Sequence, residues 1–292
     1  MGEKDISGKL LEDYTDVFAD IMNVLVFHGE RLLEPSNLID GPTVSRYKSA
    51  EAKQKEQIRD VVKFDNRQTK MTAFGIENQS VVDPHMVFRV MGYDFSSYKR
   101  QIDEGNNRIS PVITLVLHFG MKRWLGPKDV FSTVDHDLPY GKYLDAALSN
   151  YRINVVDVAF LPEKVREQFI SDFRIVVEYF SAVREGRLEE IRFNKQKIRH
   201  VEEILDFFRI FSKDKRFEEC KPVILEEAKK GDVTMCVVMD YAEKCGHEQG
   251  LKEGIKGTVY VLKNLNTPMP VIREQLMKAY DLSDNEVQKY LE

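Results

Sequence analysis

The sequence contains few of the residues that mark secreted or membrane proteins. Only three of its 292 residues are cysteines, and Cys220, Cys236 and Cys245 form no C-x-x-C pair. Neither a disulfide framework nor a zinc knuckle is therefore expected. No apolar stretch reaches the roughly 20 residues that cross a bilayer, and the first residues lack the basic start and apolar run of a signal peptide. These absences predict a cytoplasmic protein without a membrane partner.

Two further features are missing, namely an overall positive charge and a phosphate-binding loop. The 48 acidic and 43 basic side chains give a net charge of −5. This balance argues against a generally basic nucleic-acid coat but is compatible with a local basic groove. The glycines at 246, 250, 254 and 257 are followed by no Gly-Lys-Ser/Thr. No phosphate loop and no organic cofactor are therefore expected.

The apolar residues that are present make up 42% of the chain, enough for a substantial core. Their spacing predicts helices where they recur every three or four residues and strands where β-branched residues run together. Residues 46–58 are charged, and we expect them to be solvated with a helical turn. The predicted elements are helices over 9–28 and 84–102, a hairpin of strands over 59–64 and 71–79, and buried strands over 110–120 and 153–161.

The order of these elements predicts the fold class. The first 160 residues favour an α/β core with a mixed central sheet flanked by helices, and the helical pattern after Pro162 favours an all-helical C-terminal region. His118, inside an apolar strand, is expected to be a packed residue at the strand end. We divide the chain into a core over 1–165, a helical extension over 166–245 and a helical tail over 246–292.

The segment Thr72–Ser80, "TAFGIENQS", begins as core and ends in polar residues. Alternation with a period of two places Glu77 and Gln79 on one side of the strand and Asn78 on the other. Either this end leaves the core for solvent, or its carboxylate and amide converge on a ligand. Asp60 begins the preceding strand of the predicted hairpin, so it can meet Glu77 and Gln79 on one face.

Clustered carboxylates favour a divalent cation in this place. Asp60 and Glu77 would repel each other if they were half-buried without a positive charge between them. Mg²⁺ or Mn²⁺ prefers oxygen ligands and retains several waters, so either ion fits the pair. A metal held there can polarise a phosphodiester and lower the pKa of an attacking water. Gln79 can then orient that water or steady the developing charge.

The order of these motifs resembles the PD-(D/E)XK phosphodiesterase superfamily. The pattern of that superfamily is matched by Asp60, a hairpin and then Glu77-Asn78-Gln79. Two positions differ, because Gln79 stands in place of the usual Lys and Arg59 in place of the usual Pro. More narrowly, the chain is similar to the recombination-promoting nuclease / putative transposase family, in which a Glu-x-Gln strand precedes an Arg- and Tyr-rich helix and a Pro-Val-Ile strand. The resemblance covers roughly residues 10–165.

This resemblance implies a restriction-endonuclease-like core that cleaves DNA with Mg²⁺ or Mn²⁺. It implies that Asp60, Glu77 and Gln79 are catalytic, and that Asp60 and Glu77 bind the metal. An acid of the first helix often joins such sites, and here Asp16 and Asp20 are candidates, of which we favour Asp20. The activity would be associated with recombination or mobile elements, and the resemblance leaves a homodimer open.

Basic and aromatic residues near this pattern are candidates for DNA contact. Arg89, Tyr93 and Tyr98 share one predicted helix, where Arg suits phosphate contact and Tyr suits base stacking. The alternative is that the tyrosines lie at the edge of the core with wet hydroxyls. Lys63 and Lys99 are expected on a basic rim of the cleft. Lys70 and Arg100 would extend that rim.

Two functions from different classes remain open at this point. The first is a metal-dependent DNA endonuclease built on Asp60, Glu77 and Gln79. The second is a catalytically inactive, nuclease-like relic that acts as a self-association or protein-interaction module through its helical half. Convergence of the three residues in one cleft with a basic rim would favour the first function, and a wide separation would favour the second.

Overall fold

A mixed sheet is the centre of the computed structural model, which describes residues 11–48, 54–67, 72–137, 140–212 and 214–291. Within these residues, five strands form the sheet in the order β1-β4-β5-β6-β7, and a separate antiparallel pair is formed by β2 and β3. The strands are β1 (Leu38–Asp40), β2 (Val44–Lys48), β3 (Gln54–Ile58), β4 (Val61–Asp65), β5 (Thr72–Gln79), β6 (Val112–His118) and β7 (Asn154–Asp157).

The strand directions confirm the predicted mixed sheet. The pairs β1–β4 and β4–β5 are antiparallel, whereas β5–β6 and β6–β7 are parallel. The carboxyl ends of β5, β6 and β7 therefore meet at one edge of the sheet. Gln79 pairs there with His118, and His118 pairs with Asp157. This edge and the adjacent start of β4 position the residues described below.

Helices cover both faces of the sheet, which explains the continuous apolar run of β6. Successive side chains alternate between the faces. Leu115 and Leu117 join the larger core cluster with helix α1 (Thr15–Leu25), and Val116 joins a smaller cluster with helix α2 (Met86–Asp103). Helix α2 has nearly the predicted bounds, and α1 lies within its predicted range.

The C-terminal part of the chain is helical, as predicted. Its core is continuous with that of the sheet as far as Ala242, and the last helices enclose a second cluster around Ile255 and Leu276. In the part of the chain described here, no helix combines the length and the apolar composition needed to span a membrane. The helices after α2 are α3 (Gly141–Leu144), α4 (Glu163–Arg166), α5 (Phe173–Glu185), α6 (Val201–Ser212), α7 (Arg216–Lys230), α8 (Met235–Asn264), α9 (Met269–Tyr280) and α10 (Asp284–Leu291).

One prediction of secondary structure is wrong. The charged pattern of residues 46–58 predicts a helical turn, but residues 46–48 and 54–58 lie in the antiparallel strands β2 and β3, and residues 49–53 lie outside the described part. Glutamine, lysine and glutamate favour helix, so the strand pairing here overrides the local propensity. The predicted strand over 153–161 is also shorter than expected, because Val158–Phe160 form a 3₁₀ turn after β7.

The three predicted domains share structural elements. The division at 165/166 falls inside α4, and the division at 245/246 falls inside α8. One core cluster also joins the sheet to α5, α6, α7 and the first half of α8. The three-part division stays a prediction, and the second cluster of the last helices is the feature that corresponds best to a separate tail.

Candidate active site

The hairpin of β4 and β5 brings Asp60 to the polar end of β5. Val61 pairs with Ile76 at the last paired position of the two strands. Asp60 precedes Val61, and its Oδ2 accepts a hydrogen bond from the backbone N–H of Asn78 at 2.8 Å. Asp60 and Glu77 are both buried, at 4% and 2% exposure. The end of β5 is therefore not a solvent face, and the two acids lie together inside the protein.

Glu77 is the centre of the polar group at this end. Its Oε1 accepts a hydrogen bond from Gln79 Nε2 at 3.1 Å and pairs with the guanidinium of Arg89. Its Oε2 is buried without a hydrogen-bond partner among the described residues. A buried carboxylate oxygen that has no donor is costly to keep ionised. The site therefore contains an oxygen that could accept a proton or a cation.

The pKa of Glu77 reflects this environment. Burial raises it to about 8, and the neighbouring charge of Asp60 acts in the same direction, while Arg89 and Arg59 oppose the shift. For Arg89, burial is the largest single effect and disfavours the charged form, but the charge of Glu77 together with Tyr93 and Asp83 outweighs it and raises the pKa. At neutral pH both the protonated and the ionised forms of Glu77 are therefore populated, and only the ionised form makes a salt bridge with Arg89.

A third acid, Glu12, lies on the other side of Asp60. Asn78 Nδ2 donates a hydrogen bond to Glu12 Oε2 at 2.6 Å, while Glu12 Oε1 is buried without a hydrogen-bond partner among the described residues. Burial raises the pKa of Glu12 well above its usual value, and the charge of Asp60 adds to the shift. Asn78 points away from Glu77, as the alternation of the strand predicted, and links Asp60 to the segment just before α1.

Arg59 forms the buried floor of the site. Its Nη2 donates to Asp94 Oδ1 at 3.1 Å, and Asp94 also accepts hydrogen bonds from Thr114 and Tyr151. The guanidinium lies against Gly75, where a Cβ would stand 2.6 Å from Arg59 Cδ and Nη1. The missing side chain of Gly75 therefore makes the room in which Arg59 fits between β5 and α2.

Asp20, the favoured acid of the first helix, makes other contacts. Its Oδ1 pairs with Arg31, and its Oδ2 accepts the backbone N–H groups of Ile170 and Ser171 at 2.9 and 2.8 Å. Asp16 faces His200, with Nε2 at 3.1 Å from Oδ1. These contacts join α1 to the helical region. The hydrogen bonds place Glu12 rather than Asp20 beside Asp60, and the ligand role of Asp20 stays an untested prediction.

Two of the predicted DNA contacts, the rim residue Lys63 and the stacking candidate Tyr93, lie inside the protein instead. Lys63 is 1% exposed because its Nζ pairs with Asp40 at 2.6 Å and Asp13 at 3.2 Å. Tyr93 is also 1% exposed. Its ring lies 5.2 Å from the guanidinium carbon of Arg59, and burial raises its pKa to about 12. Neither side chain presents a surface to a nucleic acid in this structure, which corrects the predicted rim.

The other predicted contacts are more accessible. The side chain of Arg89 is 33% exposed and also pairs with Asp83 at 3.1 Å. Tyr98 is half-buried, and its hydroxyl accepts the backbone N–H of Val112 at 3.2 Å. Lys99 is exposed and pairs with Asp103 one helical turn away. Lys70 lies outside the described residues. Of the predicted rim, Arg89, Lys99 and Arg100 are therefore described cations with side chains that solvent reaches.

The acids do not form a preformed three-ligand metal site. Among the described residues, no group of three or more His, Cys, Asp or Glu side chains is arranged so that it could hold a metal ion. Asp60 lies in electrostatic reach of Glu77 on one side and of Glu12 on the other. The ligand atoms of these side chains are carboxylate oxygens, which suit a hard divalent cation that keeps most of its waters.

The comparison with known protein families identifies the family of the chain. The model of the family described as "Putative transposase, YhgA-like" matches residues 51–206, which is more than half of the chain. The chain belongs to this family. No curated protein and no solved structure matches the chain. The match to the YhgA-like transposases includes the whole hairpin with Asp60, Glu77 and Gln79, and it extends beyond the sheet into α6.

Membership of the YhgA-like transposases indicates a role in mobile elements and an interaction with DNA. The matched region leaves out Glu12, which is also absent from the residues predicted by sequence. The sequence feature that could identify Glu12 as a site residue is an acid in the first helical pattern. Asp16 and Asp20 share this feature, so it does not single out Glu12. Arg59 stands out in the sequence only because it replaces the proline of the PD-(D/E)XK motif. Its burial depends on packing against other elements, which the sequence around position 59 does not reveal.

Proposed function

We propose that this YhgA-like transposase is a metal-dependent DNA endonuclease that hydrolyses phosphodiester bonds in recombination or in the movement of a genetic element. The observation that carries the proposal is the buried pair of Asp60 and Glu77 at the ends of adjacent strands, with Glu77 Oε2 unpartnered among the described residues. Two buried acids in one place are expensive without a cation, so they indicate a site kept for function rather than for stability.

The donor set fits Mg²⁺ or Mn²⁺. Such ions are commonly bound through one or two carboxylates together with waters and substrate phosphates. Asp60 and Glu77 would supply the two carboxylates, and Glu12 would hold a metal-bound water or join the shell. The ion would supply Lewis-acid stabilisation of the phosphodiester and an activated water.

The residues around the pair have separate roles in this proposal. Gln79 holds Glu77 Oε1 through its amide, so it keeps the carboxylate oriented with Oε2 available. Arg89 pairs with the same carboxylate and is partly exposed, which supports assigning it a contact with a phosphate of the substrate. The hydrogen bond between Arg59 and Asp94 joins the start of β4 to α2.

The topology supports assignment to the PD-(D/E)XK nucleases. An antiparallel hairpin that carries the two acids precedes a central parallel strand, β6, and helices cover both faces. This is the layout expected of a restriction-endonuclease-like core. We therefore extend the proposal from the transposase family to that superfamily, with Gln79 in the position of its usual lysine.

Plasmid nicking tests the proposal. Purified protein is incubated with supercoiled DNA and Mg²⁺, Mn²⁺ or EDTA, and wild type is compared with Asp60→Asn and Glu77→Gln, which keep the shape of each side chain. We expect cleavage only with a metal, and a loss of at least about 100-fold in both variants, because a bound metal supplies several kcal/mol of transition-state stabilisation. Asp103→Asn, on the exposed side of α2, is the matched control.

The outcomes separate the endonuclease from an inactive relic. Calorimetric titration with Mn²⁺ measures metal binding without any cleavage, and circular dichroism shows that each variant is folded. If folded wild type binds DNA but cleaves it with neither metal, the nuclease proposal fails and the relic that acts as an interaction module takes its place. Cleavage that persists in both site variants would place the chemistry elsewhere.

A further inference from the structure

The loop after β6 begins beside the candidate active site. We name residues 119–127 the β6 loop. Phe119, its first residue, donates its backbone N–H to the carbonyl oxygen of Gln79 at 2.8 Å. The loop therefore leaves the sheet at the edge where β5 ends. The base of the β6 loop therefore lies beside Gln79.

The base of the β6 loop is held firmly. Asp157 Oδ1 accepts the backbone N–H of Trp124 at 2.8 Å and lies 2.7 Å from His118 Nδ1. Trp124 is 3% exposed, belongs to the cluster formed with α2, and meets the His118 ring edge-on at 5.3 Å between centroids. Its Nε1 donates to the carbonyl oxygen of Pro127 at 3.3 Å. The backbone on both sides of Leu125 is thus anchored.

The tip of the loop is apolar and open to solvent. Leu125 follows the buried Trp124 directly, yet it is 90% exposed. Gly126 packs against the loop between β5 and α2 so closely that a Cβ there would stand 2.4 Å from Val82 Cγ1. The two loops together present a small set of exposed apolar side chains, which we call the apolar tip: Val81, Val82, Met121 and Leu125.

Cations adjoin the apolar tip along the chain. Lys122, Arg123 and Lys128 are exposed, and none makes an ion pair with a residue that the structure describes. The guanidinium carbon of Arg123 lies 4.6 Å from the centroid of the Phe160 ring, a contact that orients the cation without neutralising it. Arg187, by contrast, is paired with two acids.

The chemistry of this surface points to one kind of partner. Exposed cations next to an exposed apolar side chain suit a partner that carries negative charges on its outside and apolar groups inside. Duplex DNA has this chemistry, since phosphates lie outside and stacked bases lie inside.

We propose that the β6 loop binds duplex DNA beside the candidate active site, with Lys122 and Arg123 on the phosphate backbone and Leu125 inserted as an apolar wedge against the bases. The proposal rests on the proposed function only in taking DNA as the partner, and it requires no cleavage. An anchored backbone suits this role, because a wedge must be presented rigidly to unstack a base step.

DNA binding without cleavage is measured first, by fluorescence anisotropy with a labelled duplex in EDTA over a range of salt concentrations. We expect the double variant Lys122→Gln/Arg123→Gln to bind at least about 10-fold more weakly at low salt and to show a smaller salt dependence, by about one to two in log–log slope. The matched control is Lys252→Gln/Lys256→Gln on α8, which removes the same charge from an exposed surface.

The wedge needs a readout of its own. Permanganate oxidises unstacked thymines, so it reports insertion wherever along the duplex the wedge enters. We expect wild type to create reactive thymines and Leu125→Ala to lose them while keeping most of its affinity. Leu265→Ala, equally apolar and 70% exposed at the end of α8, is the control and should behave as wild type.

Each result decides between the two proposals. Wild-type DNA binding with unchanged loop variants would overturn the β6-loop proposal and leave the nuclease open. Weakened binding in the loop variants together with inactive wild type would support the loop and reject the nuclease. No DNA binding by wild type in EDTA would reject the β6-loop proposal, and the nicking assay with metal would then decide on the nuclease alone. If Leu125→Ala changes the mass in light scattering but not the permanganate pattern, the apolar tip is a protein interface and the proposal is wrong.

Discussion

Asp60 accepts a hydrogen bond from the backbone N–H of Asn78 at 2.8 Å, while the side chain of Asn78 donates to Glu12. One residue thus fixes two acids, the first through its backbone and the second through its amide. The neighbouring Glu77 faces the other side, towards Arg89. The end of β5 therefore keeps the buried carboxylates of Glu12 and Glu77 each in electrostatic reach of Asp60.

The position of Glu12 predicts that it, rather than Asp20, supports the metal. Glu12→Gln preserves an acceptor for Asn78 and removes the charge, so we expect about 10-fold lower cleavage and a higher Mg²⁺ concentration for half-maximal rate. Asp20→Asn should leave the Mg²⁺ dependence unchanged and lower stability, since Asp20 pairs with Arg31 and two backbone N–H groups. Metal titrations of the nicking rate check both, and the reverse result would restore Asp20 as the ligand.

The raised pKa of Glu77 predicts how stability depends on pH. With the pKa at about 8 in the folded state and about 4.3 in the unfolded state, the folded form binds the extra proton between these values. The free energy of unfolding therefore falls as pH rises from about 4.5 to 8. Glu77→Gln should lessen this fall, which chemical denaturation at pH 5, 6.5 and 8 measures.

Mg²⁺ should act on the same group in the opposite direction. A cation at Glu77 favours the ionised carboxylate, so Mg²⁺ at about 10 mM should stabilise wild type more at pH 8 than at pH 5. Glu77→Gln should lose this difference, and Asp103→Asn should keep it. Equal stabilisation of wild type and Glu77→Gln would mean that Mg²⁺ binds elsewhere.

The buried pair of Arg59 and Asp94 predicts a large cost for breaking it. Asp94→Ala leaves a buried guanidinium whose Nε and Nη1 already have no partner among the described residues, so we expect a loss of about 3 kcal/mol. The double variant Arg59→Met/Asp94→Ala should be more stable than Asp94→Ala alone, because no unpaired charge remains. Denaturation in urea measures the free energy of unfolding of wild type and both variants.

A surface pair on the same helix is the control for these variants. Lys99 and Asp103 are more than half exposed, and removing them together should change stability by less than about 1 kcal/mol. If Asp94→Ala is as mild as this control, the buried pair does not stabilise the floor of the site.

Gly75 predicts a steric effect that depends on Arg59. A Cβ at this position would stand 2.6 Å from two atoms of the buried Arg59 side chain, so Gly75→Ala should cost about 1–3 kcal/mol. In an Arg59→Ala background the same substitution should cost clearly less, since the obstructing atoms are gone. Thermal denaturation of the four proteins checks this coupling, and equal costs in both backgrounds would contradict it.

The second core cluster predicts that the last helices can open without the sheet. Leu276 is fully buried among Ile255, Val259 and Ile272, so Leu276→Ala should remove about 2–4 kcal/mol from this cluster alone. Limited proteolysis should then cut between α8 and α10 while the core around the sheet keeps its melting temperature. Loss of both together would show that the tail and the core unfold as one unit.

Much of the candidate site follows from local pattern. Alternation along β5 places Glu77 and Gln79 on one side and Asn78 on the other, because successive side chains of a strand point to opposite faces. The order of apolar runs likewise predicts the mixed sheet, since β6 reads as a strand buried on both faces. These properties depend on residues that are close along the chain, so the sequence by itself determines them.

Tertiary structure decided which charged residues belong to the site. Glu12, Asp16 and Asp20 all lie in one helical pattern, and only the packing of α1 against the sheet brings Glu12 to Asn78. Lys63 looks like a rim residue in the sequence, yet Asp13 and Asp40 pair with it inside the fold. Burial and ion pairing join residues that are distant along the chain, so no local period encodes them.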